Sequence, residues 1–287
     1  MQAYIEKAKI LVEALPYIKM FNGITVVIKY GGSALIDQNI KKSLIEDIAL
    51  MKFVGFKPVV VHGGGPEINF MLGRLGLKSS FVDGMRVTDG ETMEVVEMVL
   101  SGKLNKEIAT DLSMHGILSA GVSGKDGRTL QVEKLMPSGK DIGLVGKVKK
   151  VDGTLLRTLI NNDFVPVVSP VGLDVEGAGY NVNADAAAVA IAGALNAEKL
   201  VFLTDVEGIL QDRKDSSSLI SRVKASRLIQ LIEEGVVSGG MIPKSESCIA
   251  AVEAGVQHVH ILDGRVEHSL LLEIFTRDGV GTMVEKG

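Results

Sequence analysis

Ile24-Thr25-Val26-Val27-Ile28-Lys29-Tyr30-Gly31-Gly32-Ser33 is an apolar run that carries one cation and ends in two glycines. Near-continuous apolar character marks a strand covered on both faces, as in a parallel sheet. A lysine inside such a strand is costly to bury unless it points to a polar site. The pattern returns downstream. Pro58-Val59-Val60-Val61-His62 leads into Gly63-Gly64-Gly65-Pro66, and Glu67–Leu75 opens a helix. A helix over Lys41–Val54 separates the two strands.

Outward from this pair the rhythm persists. Phe164–Ser169, Leu200–Thr204 and His258–Leu262 read as strands, and Ala184–Ala194 and Pro243–Ala254 as helices. Strands alternating with helices predict an α/β protein, a three-layer αβα sandwich around a mainly parallel sheet. Short β-like pieces, Thr129–Val132 and Gly146–Val151, predict hairpins added to the first lobe. Before the first strand, Ala8, Leu11, Leu15 and Ile18 follow a helical period, and Pro16 should kink or split that helix. The polar run Asp212–Ser218 reads as a surface loop. The softest boundary lies near Gly172–Gly179. It gives an N-terminal helix (1–22), a first lobe (23–175) and a second lobe (176–287).

The 287 residues carry a formal net charge of -4, with 46% hydrophobic and 23% charged residues. A nucleic-acid binder would show a basic excess, so that partner is disfavoured. The single cysteine, Cys248, allows no internal disulfide and suits a reducing compartment. Its plainest reading is a small apolar helix residue. Glu6 and Glu13 interrupt the N-terminal apolar residues, which argues against a signal peptide. No run approaches a membrane span. A cytoplasmic protein is expected.

The two glycine clusters fall where ligands bind in open α/β sheets, beyond the carboxyl ends of strands. Glycine lets backbone N–H groups approach an anion, and a following helix adds its positive end. Tight turns without a ligand would leave the same trace at either cluster alone. No GxxxxGK[ST] or GxGxxG occurs. His62-Gly63-Gly64-Gly65 is like an esterase oxyanion segment, but no GxSxG accompanies it. HExxH is absent and the histidines are scattered, so no metal site of protein ligands is expected.

What remains is chemistry by cations. Moving a phosphoryl group onto a carboxylate needs no general base, because the nucleophile is already ionised near neutral pH. The obstacle is repulsion between anions, and fixed cations and N–H donors are the remedy. Lys29 and Lys244 are candidates. Lys244 follows Gly239-Gly240-Met241-Ile242-Pro243, where proline at a helix start places the next residue on the first turn, open either to a ligand or to solvent. Asp185 opens the alanine-rich helix and could orient a cation or simply favour the first turn.

Several segments together resemble the amino-acid kinase family over essentially the whole chain. They are Lys29–Gly32, His62–Pro66, Asp83-Gly84-Met85-Arg86-Val87-Thr88, Tyr180–Asp185, Leu203–Gly208 and Gly239–Lys244. The resemblance implies transfer of the γ-phosphate of ATP to the side-chain carboxylate of N-acetyl-L-glutamate, in arginine biosynthesis. It implies that Lys29 and Lys244 stabilise the transferring group and that Asp185 orients both. Gly32 and Gly64 would donate N–H groups to phosphoryl oxygens. Gly64, Gly65, Arg86 and Asn181 would hold the acceptor. Thr204, Asp205, Gly208 and Met241, with Gly32, would lie on the nucleotide side, with Mg2+ held mainly by ATP phosphates. The first lobe would thus bind the acceptor and the second the nucleotide.

Arginine-inhibited hexameric members of the family carry an extra N-terminal helix that interlaces subunits, and residues 2–21 are similar to it. By the same resemblance His260, Glu273 and Gly279 would line an arginine effector site. A PII-type regulator binds some members, and no residue here decides whether it binds this chain. Two rivals stay open: a family member acting on another carboxylate or on carbamate, and a non-catalytic nucleotide or amino-acid sensor. Intact Lys29, Lys244 and Asp185 argue against the sensor.

Overall fold

The computed structural model describes residues 1–31, 37–276 and 279–287, excepting the side chains of residues 3, 6–8, 10 and 11. In chain order its main elements are α1 (Gln2–Phe21), β1 (Thr25–Tyr30), α2 (Gln38–Phe53), β2 (Lys57–His62), α3 (Gly65–Arg74), β3 (Phe81–Val82), β4 (Met85–Arg86) and α4 (Gly90–Glu97). A π-helical stretch, Met98–Leu104, joins α4 to α5 (Asn105–Met114). Then come β5 (Ser119–Ser123), β6 (Leu130–Lys134), β7 (Val145–Val151), α6 (Thr154–Asn161), β8 (Val165–Ser169), β9 (Val171–Leu173), β10 (Gly179–Val182) and α7 (Ala184–Leu195). The chain finishes with β11 (Lys199–Thr204), β12 (Arg222–Lys224), α8 (Ala225–Glu233), α9 (Met241–Glu253), β13 (His258–Asp263), α10 (Ser269–Phe275) and β14 (Thr282–Glu285).

Eight strands form one sheet in the order β12-β14-β13-β11-β1-β2-β8-β5. Every neighbouring pair is parallel except β13 with β14. The alternation of side chains sorts this sheet into two faces. Val27, Val59, Val168, Leu200, Phe202 and Val259 pack under α6, α7, α8 and α9. Val26, Ile28, Val60, Val167, Val201 and Leu203 pack under α2, α5 and α10. The three-layer αβα sandwich expected from the sequence is therefore the observed architecture. Lys29 shares its face with Val27, which aims it toward the layer that holds α7. That helix lies close to its neighbours because, beside Ile191, its buried positions are the small Ala187, Ala188 and Ala192. A Cβ added at Gly193 would sit 3.0 Å from Ala254 Cβ.

The hairpins expected between residues 120 and 155 are part of something larger. β6 and β7 do pair antiparallel, but with β9 and β10 they close into a four-stranded barrel. Pro16 does not split α1, which runs unbroken through it. The missing N–H costs little there because Val12 and Leu15 are exposed, leaving the freed carbonyl near water. Of the face expected on this helix, Ala8 and Leu11 lie outside the described side chains. The helix docks through its last residue, where Phe21 meets Phe56 and Phe56 meets Phe275.

The start of α10 is tied to α2, its neighbour in the same layer, by a charged contact. His268 Nδ1 lies 2.5 Å from Asp47 Oδ1, and the His268 N–H donates to Ser43 Oγ at 2.7 Å. Burial pushes the Asp47 carboxyl up to about 6, against the pull of His268. His268 is itself raised by its bond to Asp47. Both shifts are upward, so the native state holds protons that the unfolded chain has released. This stabilisation is full below the unfolded values and fades as pH rises through the folded ones. The melting temperature of the wild type should therefore fall more between about pH 5 and pH 8 than that of Asp47→Asn. Parallel curves for the two proteins would contradict this.

Candidate active site

β1 and β2 pair in register, Tyr30 opposite His62, so their glycine loops emerge side by side. The Gly63 N–H donates to Tyr30 O at 2.7 Å, fastening one loop to the other. Gly64 has no room for a side chain: a Cβ there would stand 2.5 Å from both Leu100 and Leu104. Pro66 follows at the start of α3, whose first N–H groups point back toward the loop.

A cavity of about 720 Å³ opens on this loop. Gly63, Gly64 and Gly65 line it with Arg86, Asn181 and Asp185. All four residues expected to hold an acceptor thus share one cavity with the candidate acid. Arg86 is braced rather than free. Its Nη1 donates to Asn69 Oδ1 at 2.7 Å and to Ser79 Oγ, and its Nη2 to Gly65 O at 3.2 Å. The guanidinium stacks 4.8 Å above the Phe81 ring. Burial lowers its affinity for the proton, yet a guanidinium stays charged. Asn181 donates to Thr88 Oγ1 at 3.2 Å, which fixes its amide.

Lys29 reaches across to the same wall, with Nζ 2.9 Å from Asp185 Oδ1. The approach is a charge contact outside hydrogen-bond alignment, since Oδ1 is buried without an aligned donor. Asn183 caps α7 by accepting from the N–H groups of Asp185 and Ala186. That leaves the Asp185 carboxylate for the lysine. Gly31 lies against this lysine, its absent Cβ only 3.2 Å from Nζ.

A second cavity of about 420 Å³ is lined by Asp205, Gly208, Arg213, Ser238, Met241 and Arg265, among others. Three of the nucleotide-side residues fall here. Thr204 does not line it. Its hydroxyl instead braces the end of β11, accepting from the Val206 N–H at 3.2 Å. Gly208 has φ +152, and a Cβ would meet Thr282 Oγ1 at 2.5 Å, so glycine is required there. Gly32 lies outside the described residues. The two cavities share α9: Met241 lines the second, while Pro243 and Glu246 line the first.

Lys244 sits on that shared turn, and here the structure departs from the expectation that Asp185 orients both lysines. Lys244 Nζ pairs with Asp205 Oδ1 at 2.8 Å. The lysine holds the Asp205 carboxyl below its usual range. Asp205 follows β11 directly, next to β1 in the sheet, and offers the long lysine a carboxylate on the side of the second cavity. Each cavity is thus lined by the carboxylate of a lysine pair, Asp185 with Lys29 at the first and Asp205 with Lys244 at the second.

The three residues expected at an effector site also come together, and they line neither cavity. His260 Nδ1 lies 2.7 Å from Glu273 Oε1. Glu273 Oε2 accepts from the Val280 and Gly281 N–H groups at 2.8 and 3.0 Å. Gly279, at φ +66, leaves no space for a Cβ against Glu273. Burial keeps His260 neutral, so Nδ1–H donates to the glutamate and Nε2 faces Lys199 Nζ at 3.3 Å. Lys199 was not singled out from the sequence. It is buried, pushed down to about 8, and lies 4.8 Å above the Phe21 ring at the end of α1. A lysine opening a strand is an ordinary sight, and only the pairing with β13 shows what it meets. Asn69, Ser79 and Phe81, which brace Arg86, were missed for the same reason.

Among the described residues no three His, Cys, Asp or Glu side chains cluster as metal ligands. Among them, too, no helix is long and apolar enough to cross a membrane.

Residues 25–263 match the model of the amino acid kinase family. The chain belongs to that family, and is thus an enzyme of the phosphotransferase kind. It is 59% identical over 281 residues to an acetylglutamate kinase of Desulforamulus reducens, covering 98% of each chain. It is 53% identical to an acetylglutamate kinase of Moorella thermoacetica, over 99% of this chain and 98% of that one. Among solved structures, N-acetylglutamate synthase from Neisseria gonorrhoeae, complexed with coenzyme A and N-acetyl-glutamate, superposes with a TM-score of 0.85 at 28% identity. The match covers 98% of this chain and 63% of that synthase. Carbamate kinase from Giardia lamblia shares the fold at 18% identity, with a TM-score of 0.66 over 92% of this chain and 99% of that one.

Proposed function

We propose that the chain transfers the γ-phosphate of ATP, taken as its magnesium complex, to the side-chain carboxylate of N-acetyl-L-glutamate. One observation carries this reading. Gly64, Gly65, Arg86, Asn181 and Asp185 line a single cavity, whose far wall, α9, also borders the cavity of Asp205, Gly208 and Met241. The near-full-length identity to acetylglutamate kinases supports the same acceptor.

The chemistry follows from the groups present. Arg86 pairs a carboxylate of the acceptor through the donors its braces leave over. The attacking carboxylate is ionised and needs no base. Lys29, steadied by Asp185, and the Gly64 N–H meet charge on the transferring group, joined by Gly32. Lys244 leaves Asp205 for the same phosphoryl oxygens once a nucleotide brings stronger charge to the turn. Thr204, Asp205, Gly208 and Met241 serve the nucleotide side. The magnesium ion travels with the ATP phosphates, as its reluctance to lose water allows.

The lobes divide accordingly, residues 23–175 for the acceptor and 176–287 for the nucleotide, with Asn181 and Asp185 reaching back across. Residues 1–22 join subunits into a hexamer in the cytoplasm. Arginine binds at His260, Glu273 and Gly279 as a feedback inhibitor of arginine biosynthesis. A PII-type partner finds no support in the residues.

The test is a panel of N-acetylglutamate, glutamate, aspartate and carbamate with ATP, trapping acyl phosphate as the hydroxamate. Hydroxamate is expected with N-acetylglutamate, and less of it when arginine is added. Turnover on another acceptor alone, or nucleotide binding with no turnover, would overturn the proposal.

A further inference from the structure

Beneath the second glycine loop lies a buried polar pair that no step above uses. Asn105, the first residue of α5, is fully buried, as is His62 at the end of β2. The Asn105 Nδ2 donates to Val167 O at 2.8 Å and lies 3.2 Å from both Val122 O and His62 Nε2. Its Oδ1 accepts from Lys106 Nζ at 3.1 Å. Carbonyls only accept and an ammonium only donates, so the amide has one orientation. His62 Nε2 then faces an N–H and carries no proton. The ring proton sits on Nδ1, 2.9 Å from Gly63 O, to which it donates. Burial, with the Lys106 charge beside it, keeps the ring neutral by lowering its pKa to about 4.

The consequence reaches the next atom along the chain. Gly63 is held on its other side by the bond from its N–H to Tyr30 O. Gly64 O is taken by the Ile68 N–H at 3.0 Å. In a trans peptide the carbonyl and the N–H point in opposite directions. With Gly63 O drawn down to the imidazole, the Gly64 N–H is sent up, toward the cavity that Gly63, Gly64 and Gly65 line. Three successive glycines pay almost nothing in sterics to flip a peptide. Something other than Cβ must therefore hold this one.

We infer that His62, oriented by Asn105, is a positioning residue that locks the Gly63–Gly64 peptide with its N–H presented to the transferring phosphoryl group. The inference rests on the proposed phosphoryl role of Gly64. A donor held in place before the reaction needs no reorganisation during it, which is where its worth lies.

Two substitutions and one spectrum test it. His62→Asn keeps an N–H close to the position of Nδ1, while His62→Leu fills the volume without a donor. His62→Leu should lower kcat by about 10- to 100-fold, less than outright loss of a donor. Its KM for ATP should change by less than about twofold, as for a group felt only in the transition state. His62→Asn should regain most of the rate. The complex of ADP, aluminium fluoride and N-acetylglutamate should weaken in His62→Leu by the same factor as kcat, with ADP binding alone unchanged. Wild-type kcat in His62→Leu would overturn the inference. So would equal losses in both variants that extend to ADP binding, the signature of a damaged fold. Independently of activity, histidine-labelled wild type at neutral pH should show His62 as the Nδ1–H tautomer in a long-range 15N spectrum. An Nε2–H tautomer overturns the inference whatever the kinetics. Wild type with the Nδ1–H tautomer but no turnover of N-acetylglutamate would sink the functional reading and the phosphoryl assignment with it, while the peptide orientation stood.

Discussion

Lys29→Ala is expected to lower kcat by about 10²- to 10³-fold, the usual cost of removing one positioned donor from a developing negative charge. The structure says why the effect should fall on rate. Lys29 lies on the inward face of β1 with Val27, yet its ammonium emerges at Asp185 on the cavity wall. Its partner is partly exposed, so the pair adds little to stability. The melting temperature should accordingly move by only a few degrees, as expected for about 1 kcal/mol in a chain of this size. A variant that is unfolded, or one that turns over at the wild-type rate, would contradict this assignment. Asp185→Asn gives a graded companion: the lysine keeps its charge but loses its anchor, and kcat should fall less.

The second large effect concerns α1. Deleting residues 1–20 should abolish the proposed hexamer and the proposed response to arginine while leaving turnover in place. On this helix Tyr4 is 74% exposed, Val12 62%, Leu15 56% and Met20 63%, an apolar surface that a second subunit would cover. The cut is placed to spare Phe21, which supports Lys199 and packs on Phe56. The cluster of Lys199, His260 and Glu273 thus keeps its floor, so a lost response would report the lost helix. Neither cavity is lined by residues before 63, which is why catalysis should survive. Sedimentation that shows an unchanged particle would contradict the role given to this helix.

The central strands were legible because burial on both faces writes itself as unbroken apolar runs. β1, β2, β8, β11 and β13 each lie within a residue or so of the sequence reading. The glycine loops were legible because glycine stands where a Cβ would collide with a neighbour, as at Gly64 against the Leu100 and Leu104 side chains. Other parts leave no such trace. β12, at one edge of the sheet, and β14 beside it are short strands, too brief to show a period. The barrel of β6, β7, β9 and β10 depends on pairing between segments far apart in sequence, and local pattern shows only its hairpin.

The site divides in the same way. Arg86, Asn181 and Asp185 were found from the sequence and share a cavity. Lys29 meets Asp185 as expected, and what escaped was the carboxylate that Lys244 meets. Lys244 turns to Asp205 rather than Asp185 because long side chains choose partners by proximity in space. Asn105 escaped as well. It lies in a stretch, α4 through α5, where a π-helical segment disturbs the 3.6-residue period that a pattern search needs.

The claim on which all of this depends is that two ammonium groups converge on one phosphoryl group. A crystal structure with a non-hydrolysable ATP analogue, magnesium and N-acetylglutamate tests it directly. The account predicts Lys29 Nζ and Lys244 Nζ both within hydrogen-bond reach of terminal phosphate oxygens, with Lys244 drawn off Asp205. Lysines still on their separate carboxylates, with the terminal phosphate out of reach of both, would contradict it.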